Sequence, residues 1–164
     1  MKIGIIVYSQ TGHTLAVAEK VRTKLEEAGH EAAVAQVTIT GEAAEGKFQL
    51  AEAPAVDAYE GLIFGAPVHA FSLSAVMKTY LEQMPSLAGK KTALMITKQL
   101  PFAWTGGNRA LGAMKTICEE KEAQVVGSAM AFWAASKQEK SVAACIDTLA
   151  RCFRDIRDSS DSKG

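Results

Sequence analysis

The segment Ser9-Gln10-Thr11-Gly12-His13-Thr14 sets three hydroxyls, one glycine and a run of backbone N–H groups between an apolar run and a stretch with helical spacing. Donors of this kind at a helix N-terminus bind phosphate, because the unpaired N–H groups and the helix dipole both face the anion. The segment holds no lysine or arginine. An anion there is held by neutral donors and the dipole, which suits the terminal monophosphate of a bound cofactor and does not suit nucleoside triphosphate hydrolysis. A Walker loop needs Gly-Lys-Ser/Thr and a dinucleotide-binding turn needs three spaced glycines, whereas only Gly12 follows the first apolar run. A phospho-receiver domain needs carboxylates where this chain has Ser9, Gln10 and Gly65. The plainer alternative is an ordinary strand-to-helix turn in which Thr11 caps and Gly12 relieves strain.

The elements that must position this segment follow from the hydrophobic pattern. Apolar, β-rich runs at Lys2–Ser9, His30–Val37, Leu62–Gly65 within Tyr59–Ala66, Lys91–Thr97 and Ala123–Trp133 read as five strands. Helical spacing joins Val17, Val21 and Leu25 within Gly12–Ala28, closed by Gly29 as C-cap. Ser72 or Ser74 caps a second helix through Val76, Met77, Tyr80, Leu81 and Met84, ending before Pro85. Gly106-Gly107-Asn108 leads into a third helix marked by Leu111, Met114 and Cys118. In the last helix Ser136 and Glu139 form a capping box, and Val142, Cys145, Leu149, Cys152 or Phe153, and Ile156 share one face. Residues Thr38–Val56, with Gly41, Gly46 and Pro54, show no firm period, so any helix there is short.

Strands alternating with helices imply an α/β domain whose five-stranded parallel sheet is covered on both faces, a three-layer doubly wound architecture. Ligands of such sheets bind beyond the carboxyl ends of the strands, near the switch point. Function therefore belongs to the loops after strands one, three and four. The chain is expected to be a single domain over residues 1–157 with a polar tail at 158–164.

Composition narrows the classes. The chain has 164 residues, 48% hydrophobic and 22% charged, enough apolar surface for a folded core. Eighteen Lys plus Arg balance eighteen Asp plus Glu, which argues against nucleic acid as a partner. The run Ile3–Tyr8 is too short for a signal-peptide core, and no apolar stretch approaches the ~18 residues of a membrane span. The expectation is a cytoplasmic protein, with no membrane and no metal in its chemistry. Three cysteines are an odd count for a disulfide framework. Cys145 and Cys152, ~10 Å apart along a helix, read as reduced, buried fillers. Met77, Met84, Met95 and Met114 fall at core positions.

Tyr8-Ser9-Gln10-Thr11-Gly12-His13-Thr14 after a hydrophobic first strand resembles the phosphate-binding loop of flavodoxins and flavodoxin-like FMN proteins. Gly65-Ala66-Pro67-Val68-His69 resembles their second loop, and the order of elements is similar over nearly the whole chain, in the short-chain layout. The resemblance implies a flavodoxin-like sheet of strand order 2-1-3-4-5 and FMN as cofactor. It further implies that Ser9, Gln10, Thr11, Gly12, His13 and Thr14 hold the phosphate, and that Pro67, Val68, His69, Ala70 and Phe71 flank the isoalloxazine. By position, the loop after strand four adds Gln99, Phe102, Trp104, Gly106 and Gly107. Phe102 and Trp104 either stack on the ring or cover the sheet edge, and the glycines let backbone approach the pyrimidine edge. His69 is the one candidate for a substrate contact, with an exposed loop histidine as its alternative; His13 either points to solvent or takes a direct role.

Charge around the ring is the lever that sets how easily a reduced, anionic flavin forms. Between Pro67 and Ser74 there is no Asp or Glu, and between Lys98 and Arg109 the only charged residues are those two. A milder potential than in acidic flavodoxins is expected, and a zero net charge gives little long-range steering of a protein partner. Three readings follow. The first is a flavodoxin-like redox protein transferring electrons through bound FMN. The second is an NAD(P)H-dependent quinone or flavin reductase, and the third a flavin-binding module without turnover. The partner is accordingly a redox protein or a small electron donor or acceptor such as NAD(P)H or a quinone, and the chain is a monomer or homodimer.

Overall fold

The computed structural model describes residues 1–69, 72–99, 106–133 and 138–154. In chain order these form β1 (Lys2–Val7), α1 (His13–Glu27), β2 (Glu31–Gln36), β3 (Thr38–Glu42), β4 (Lys47–Glu52), β5 (Gly61–His69) and β6 (Ser72–Leu73). There follow α2 (Ala75–Glu82), β7 (Lys91–Lys98), α3 (Gly107–Glu120), β8 (Gln124–Phe132) and α4 (Gln138–Cys152). The main sheet runs β2-β1-β5-β7-β8, all parallel. These are the five strands expected from the apolar runs, in the expected 2-1-3-4-5 order.

Two apolar layers sandwich the sheet. Ile3, Ile5, Val7, Ile63 and Met95 face α1 and α4 through Val17, Val21, Leu25, Val142, Cys145 and Leu149. Ile6, Leu62, Phe64, Leu94 and Ile96 face α2 and α3 through Val76, Met77, Tyr80, Leu81 and Met114. Each central strand is thus apolar through its middle, Ile3–Val7, Leu62–Ala66 and Ala93–Ile96, as strands buried on both faces must be. Glycines set the closest approaches. A Cβ on Gly4 would lie 2.5 Å from the Tyr59 ring, so Tyr59 lies flat on β1 only because Gly4 has no side chain.

Caps explain where α1 begins and ends. Gly12, at φ 87°, is its N-cap, and Gly29, at φ 93°, reverses the chain after it. The N–H groups of Gly29 and His30 return to the carbonyls of Glu26 and Leu25 at 3.0 and 3.1 Å, closing the helix in the expected way. Ser74 is the N-cap residue of α2, but its hydroxyl makes no cap bond and has no partner among the described residues. The capping-box residue Ser136 and the helical position expected for Ile156 lie outside the described residues.

Two sequence expectations require correction. The stretch after β2 holds a two-stranded antiparallel hairpin, β3–β4, joined through a single 3₁₀ turn at Ala43–Glu45, so this crossover is not helical. The period-2 signal is brief. Phe48 and Leu50 alternate with polar neighbours, Ile39 pairs Leu50, and these side chains pack on the α2/α3-side core. Gly41, at φ 92°, lies so close to Lys47 that a Cβ would come 2.2 Å from its carbonyl oxygen.

The second correction concerns β5, which continues past Ala66 to His69. Gly65 accepts from Tyr8 on the β1 side, and alternate residues of a parallel strand bond the same neighbour. Pro67 therefore directs its missing N–H beyond the end of β1, where no ladder bond is lost. Its other neighbour, Thr97 of β7, pairs with it in register. β6 folds back antiparallel on this extension, Val68 opposite Leu73 and His69 opposite Ser72. None of the described helices is long and apolar enough to cross a membrane.

Candidate functional site

The carboxyl ends of β1, β5 and β7 bring three segments to one edge of the sheet. After β1, Ser9 accepts the Leu15 N–H on its Oγ at 3.3 Å, which folds the segment back over the first turn of α1. Gly12 in the left-handed region starts the helix without a side-chain cap, and no acidic residue lies in the first turn. Among the described residues neither the His13 nor the Thr14 N–H has an acceptor. A Cβ at Gly12 would meet nothing within 4 Å. Open space, unpaired N–H groups and the positive end of a helix dipole suit an anion. This arrangement fits the phosphate of FMN.

The side chains of the segment diverge. Thr14 is 2% exposed and turns inward, sharing a 2.7 Å hydrogen bond between its Oγ1 and Thr97 Oγ1 at the end of β7. Only the main chain of Thr14 faces the open side of the segment. His13 stacks on Trp133, just beyond β8, with ring centroids 4.5 Å apart and planes within 8°. Of the two sequence readings for His13, free solvent exposure does not hold. Gln10 reaches across to β5, its Oε1 lying 2.5 Å from Nε2 of His69.

At the end of β5, Pro67, Val68 and His69 are half-buried. Ser72 donates from Oγ to the His69 carbonyl at 3.3 Å, and Tyr8 meets the His69 ring edge-on, with centroids 6.5 Å apart. Burial holds the His69 imidazole below its ordinary pKa, so it is neutral near pH 7. Burial also raises the Tyr8 phenol, an effect partly offset by a hydrogen bond from Gln10.

The third segment is described only at its two ends. Gln99 is exposed after β7; Gly106, at φ 93°, is the N-cap of α3, and Gly107 is its first residue. A Cβ on Gly107 would lie 2.5 Å from Met130 Sδ and 3.1 Å from Lys98 Nζ. Glycine here lets the helix start close against Lys98, whose ammonium is held below its usual pKa by burial. Ala70, Phe71, Phe102 and Trp104 lie outside the described residues.

The structure thus brings Ser9–Thr14, Pro67–His69, Gln99 and Gly106-Gly107 to the same edge of the sheet, and joins the first two groups through Gln10 and His69. Sequence reasoning did not pair Thr97 with Thr14 or Trp133 with His13. Each stands at the end of a strand it had assigned, but no local pattern marks partners so far apart in the chain. Among the described residues no group of three or more His, Cys, Asp or Glu is placed to hold a metal ion.

Residues 1–138 match the family model described as NADPH-dependent FMN reductase. No curated protein sequence matches the chain. Among solved structures, flavodoxin 1 from Bacillus cereus is similar at a TM-score of 0.68 and 20% identity, with 93% of this chain and 97% of that one covered. Flavodoxin 2 from Bacillus cereus gives 0.67 and 24%, with the same coverage. An NADH:FMN oxidoreductase in its apo form gives 0.68 and 17%, covering 93% of this chain and 90% of that one. At these identities the structural likeness shows the fold.

Proposed function

Because the chain belongs to the NADPH-dependent FMN reductase family, we propose that it is an FMN-dependent NAD(P)H oxidoreductase acting on a small acceptor, a free flavin or a quinone. It has a flavodoxin-like fold and binds FMN, as its family does. The observation that carries the enzyme reading over the carrier reading is the charge around the site. Among the described residues, Pro67, Val68, His69, Ser72 and Leu73 on one side and Lys98, Gln99, Gly106, Gly107, Asn108 and Arg109 on the other include no carboxylate. A low-potential carrier needs a negative field that opposes an electron-rich ring; a neutral to positive surround relaxes that opposition and favours paired electrons.

FMN supplies the capacity to accept a hydride and to release electrons singly or in pairs. The chain's own residues bind and orient it. We assign the phosphate to the N–H groups at the start of α1 together with the Ser9 and Thr11 hydroxyls, with Gly12 leaving the anion room. We assign the ring to the space between Pro67-Val68-His69 and the two described ends of the third segment, Gln99 and Gly106-Gly107. Ala70, Phe71, Phe102 and Trp104 are added on sequence position alone. Residues 1–157 serve in this reading as one functional domain.

The test is anaerobic mixing of the FMN-loaded protein with NADPH or NADH while the visible flavin bands are followed. Bleaching within the mixing experiment, reversed by a quinone or by free flavin, is expected. Bands that persist with both nicotinamides but respond to a reduced redox protein would establish a carrier instead.

A further inference from the structure

The side chain of Gln10 stands in the segment assigned to phosphate, yet it is turned away from the start of α1 and toward β5. Its Oε1 lies 2.5 Å from His69 Nε2. An amide oxygen only accepts, so the hydrogen of this bond belongs to the imidazole. His69 is braced from two further sides, by the Ser72 hydroxyl on its carbonyl at 3.3 Å and by the edge-on Tyr8 ring.

We infer that Gln10 is a positioning residue for His69 rather than a phosphate ligand, holding the imidazole as its Nε2–H tautomer so that Nδ1 is left as a hydrogen-bond acceptor beside the cofactor site. This deepens the proposed function, on which the words "cofactor site" rest, by giving one side chain of the phosphate segment a task at the ring segment. It also sets the sense of any contact His69 makes. A neutral imidazole whose only N–H is engaged by Gln10 accepts from an N–H or O–H of a bound molecule, and donates a proton only after taking one up.

The chain has three histidines, so long-range proton–nitrogen spectra of the ¹⁵N-labelled full-length protein at pH 8 can resolve each ring, with His69→Gln identifying the signal. The inference expects protonated Nε2 and unprotonated Nδ1 for His69, without FMN and with it. Gln10→Leu is expected to average the two nitrogens toward a tautomer mixture. Gln10→Glu, which keeps an acceptor and adds charge, is expected to retain the tautomer and raise the His69 pKa. An Nδ1–H tautomer in the native chain, or a His69 signal unmoved by Gln10→Leu, would overturn it.

A second arm measures affinity for FMN and for riboflavin, which lacks the phosphate. Gln10→Leu should change both by less than about threefold, whereas loss of a phosphate contact costs about tenfold or more for FMN alone. The latter result would make Gln10 a phosphate ligand and overturn the inference. Failure of the native protein to bind FMN would end the proposed function, and the spectra without FMN would still decide the role of Gln10.

Discussion

Thr14 Oγ1 and Thr97 Oγ1, 83 residues apart in sequence, share a buried 2.7 Å hydrogen bond that ties the first turn of α1 to the carboxyl end of β7. Gly65 of β5, flanked in register by Val7 and Met95, lies close to Thr14, where an added Cβ would come 3.5 Å from Thr14 Cγ2. The bond therefore joins α1 to β7 close to the central strand β5. It anchors the helix start to which the phosphate is assigned against the strand that leads into the third site segment.

Replacing Thr97 with Val keeps the volume and leaves the buried Thr14 hydroxyl without its partner. The expected loss is about 1–3 kcal/mol of unfolding free energy, the cost of stranding one buried polar group. Urea unfolding of Thr97→Val beside the double variant Thr14→Val/Thr97→Val checks the assignment. The double variant should recover part of the loss, because neither hydroxyl is then buried alone.

Gly65→Ala tests the same packing by sterics. The new Cβ would lie 2.6 Å from Met95 Cε, 3.0 Å from Val7 Cγ1 and 3.5 Å from Thr14 Cγ2. Met95 can swing its methyl aside, but Val7 is stiff and must give by a few tenths of an ångström, while Thr14 of α1 would be in ordinary contact. Overpacking of this kind costs about 1–3 kcal/mol. A calorimetric melt would register it, and an unchanged melting temperature would show that the layer is looser than its geometry.

What was legible in the sequence, and what was not, divides by the range of the signal. The strands announced themselves because burial on both faces leaves near-continuous apolar runs, as in Leu62–Ala66 and Ala93–Ile96. The α1 start was legible in Gly12 and its stop in Gly29, both local. The β3–β4 hairpin was missed because only Ile39, Phe48 and Leu50 carry its alternation, interrupted by Gly41 and Gly46. The end of β5 was missed because Pro67 usually terminates a strand, and what permits it here is the shorter neighbour β1, a tertiary fact. In the site, the three segments could be placed from strand ends alone. The inward turn of Thr14, the stacking of His13 on Trp133 and the reach of Gln10 to His69 are contacts between distant residues, to which sequence spacing is blind.

His69 ties stability to pH. Its pKa in the folded chain lies below the ordinary 6.5 because burial disfavours the imidazolium. Below about pH 6.5 the unfolded chain takes up a proton that the folded chain resists, so folding loses stability as pH falls, until the folded pKa is passed. Above that range His69 contributes no slope. Urea midpoints of the native chain and His69→Gln between pH 7.5 and pH 5 give the comparison, and the variant should show the shallower decline. Equal declines would assign the acid sensitivity elsewhere.

Ser9 separates the folding of the phosphate segment from its chemistry. Its Oγ accepts the Leu15 N–H at 3.3 Å and stands with the open helix start. Ser9→Ala removes that acceptor at a cost of about 0.5–1.5 kcal/mol in stability. If the hydroxyl also serves the phosphate, FMN affinity should fall about tenfold while riboflavin affinity holds. Fluorescence quenching of the two flavins by the same protein provides the ratio. Parallel losses for both would place Ser9 in the scaffold alone.

Thiol reactivity tests the packing of α3 and α4 against the sheet. Burial pushes the Cys118 and Cys145 thiols up to about 12, leaving almost no thiolate at pH 8, and both side chains are buried in the two core layers. Cys152 is also raised by burial but is half-buried, with Arg151 drawing it partly back. The thiolate is the reactive form, so a disulfide reagent should modify Cys152 first and slowly, and the other two only when the chain opens. Gly127 of β8 lies directly beneath Cys152, where an added Cβ would come 2.4 Å from its Sγ. Gly127→Ala should therefore lift the end of α4 and speed labelling of Cys152, leaving Cys118, on the opposite face of the sheet, at its native rate. Fast labelling of Cys118 in the native chain would contradict the packing of α3.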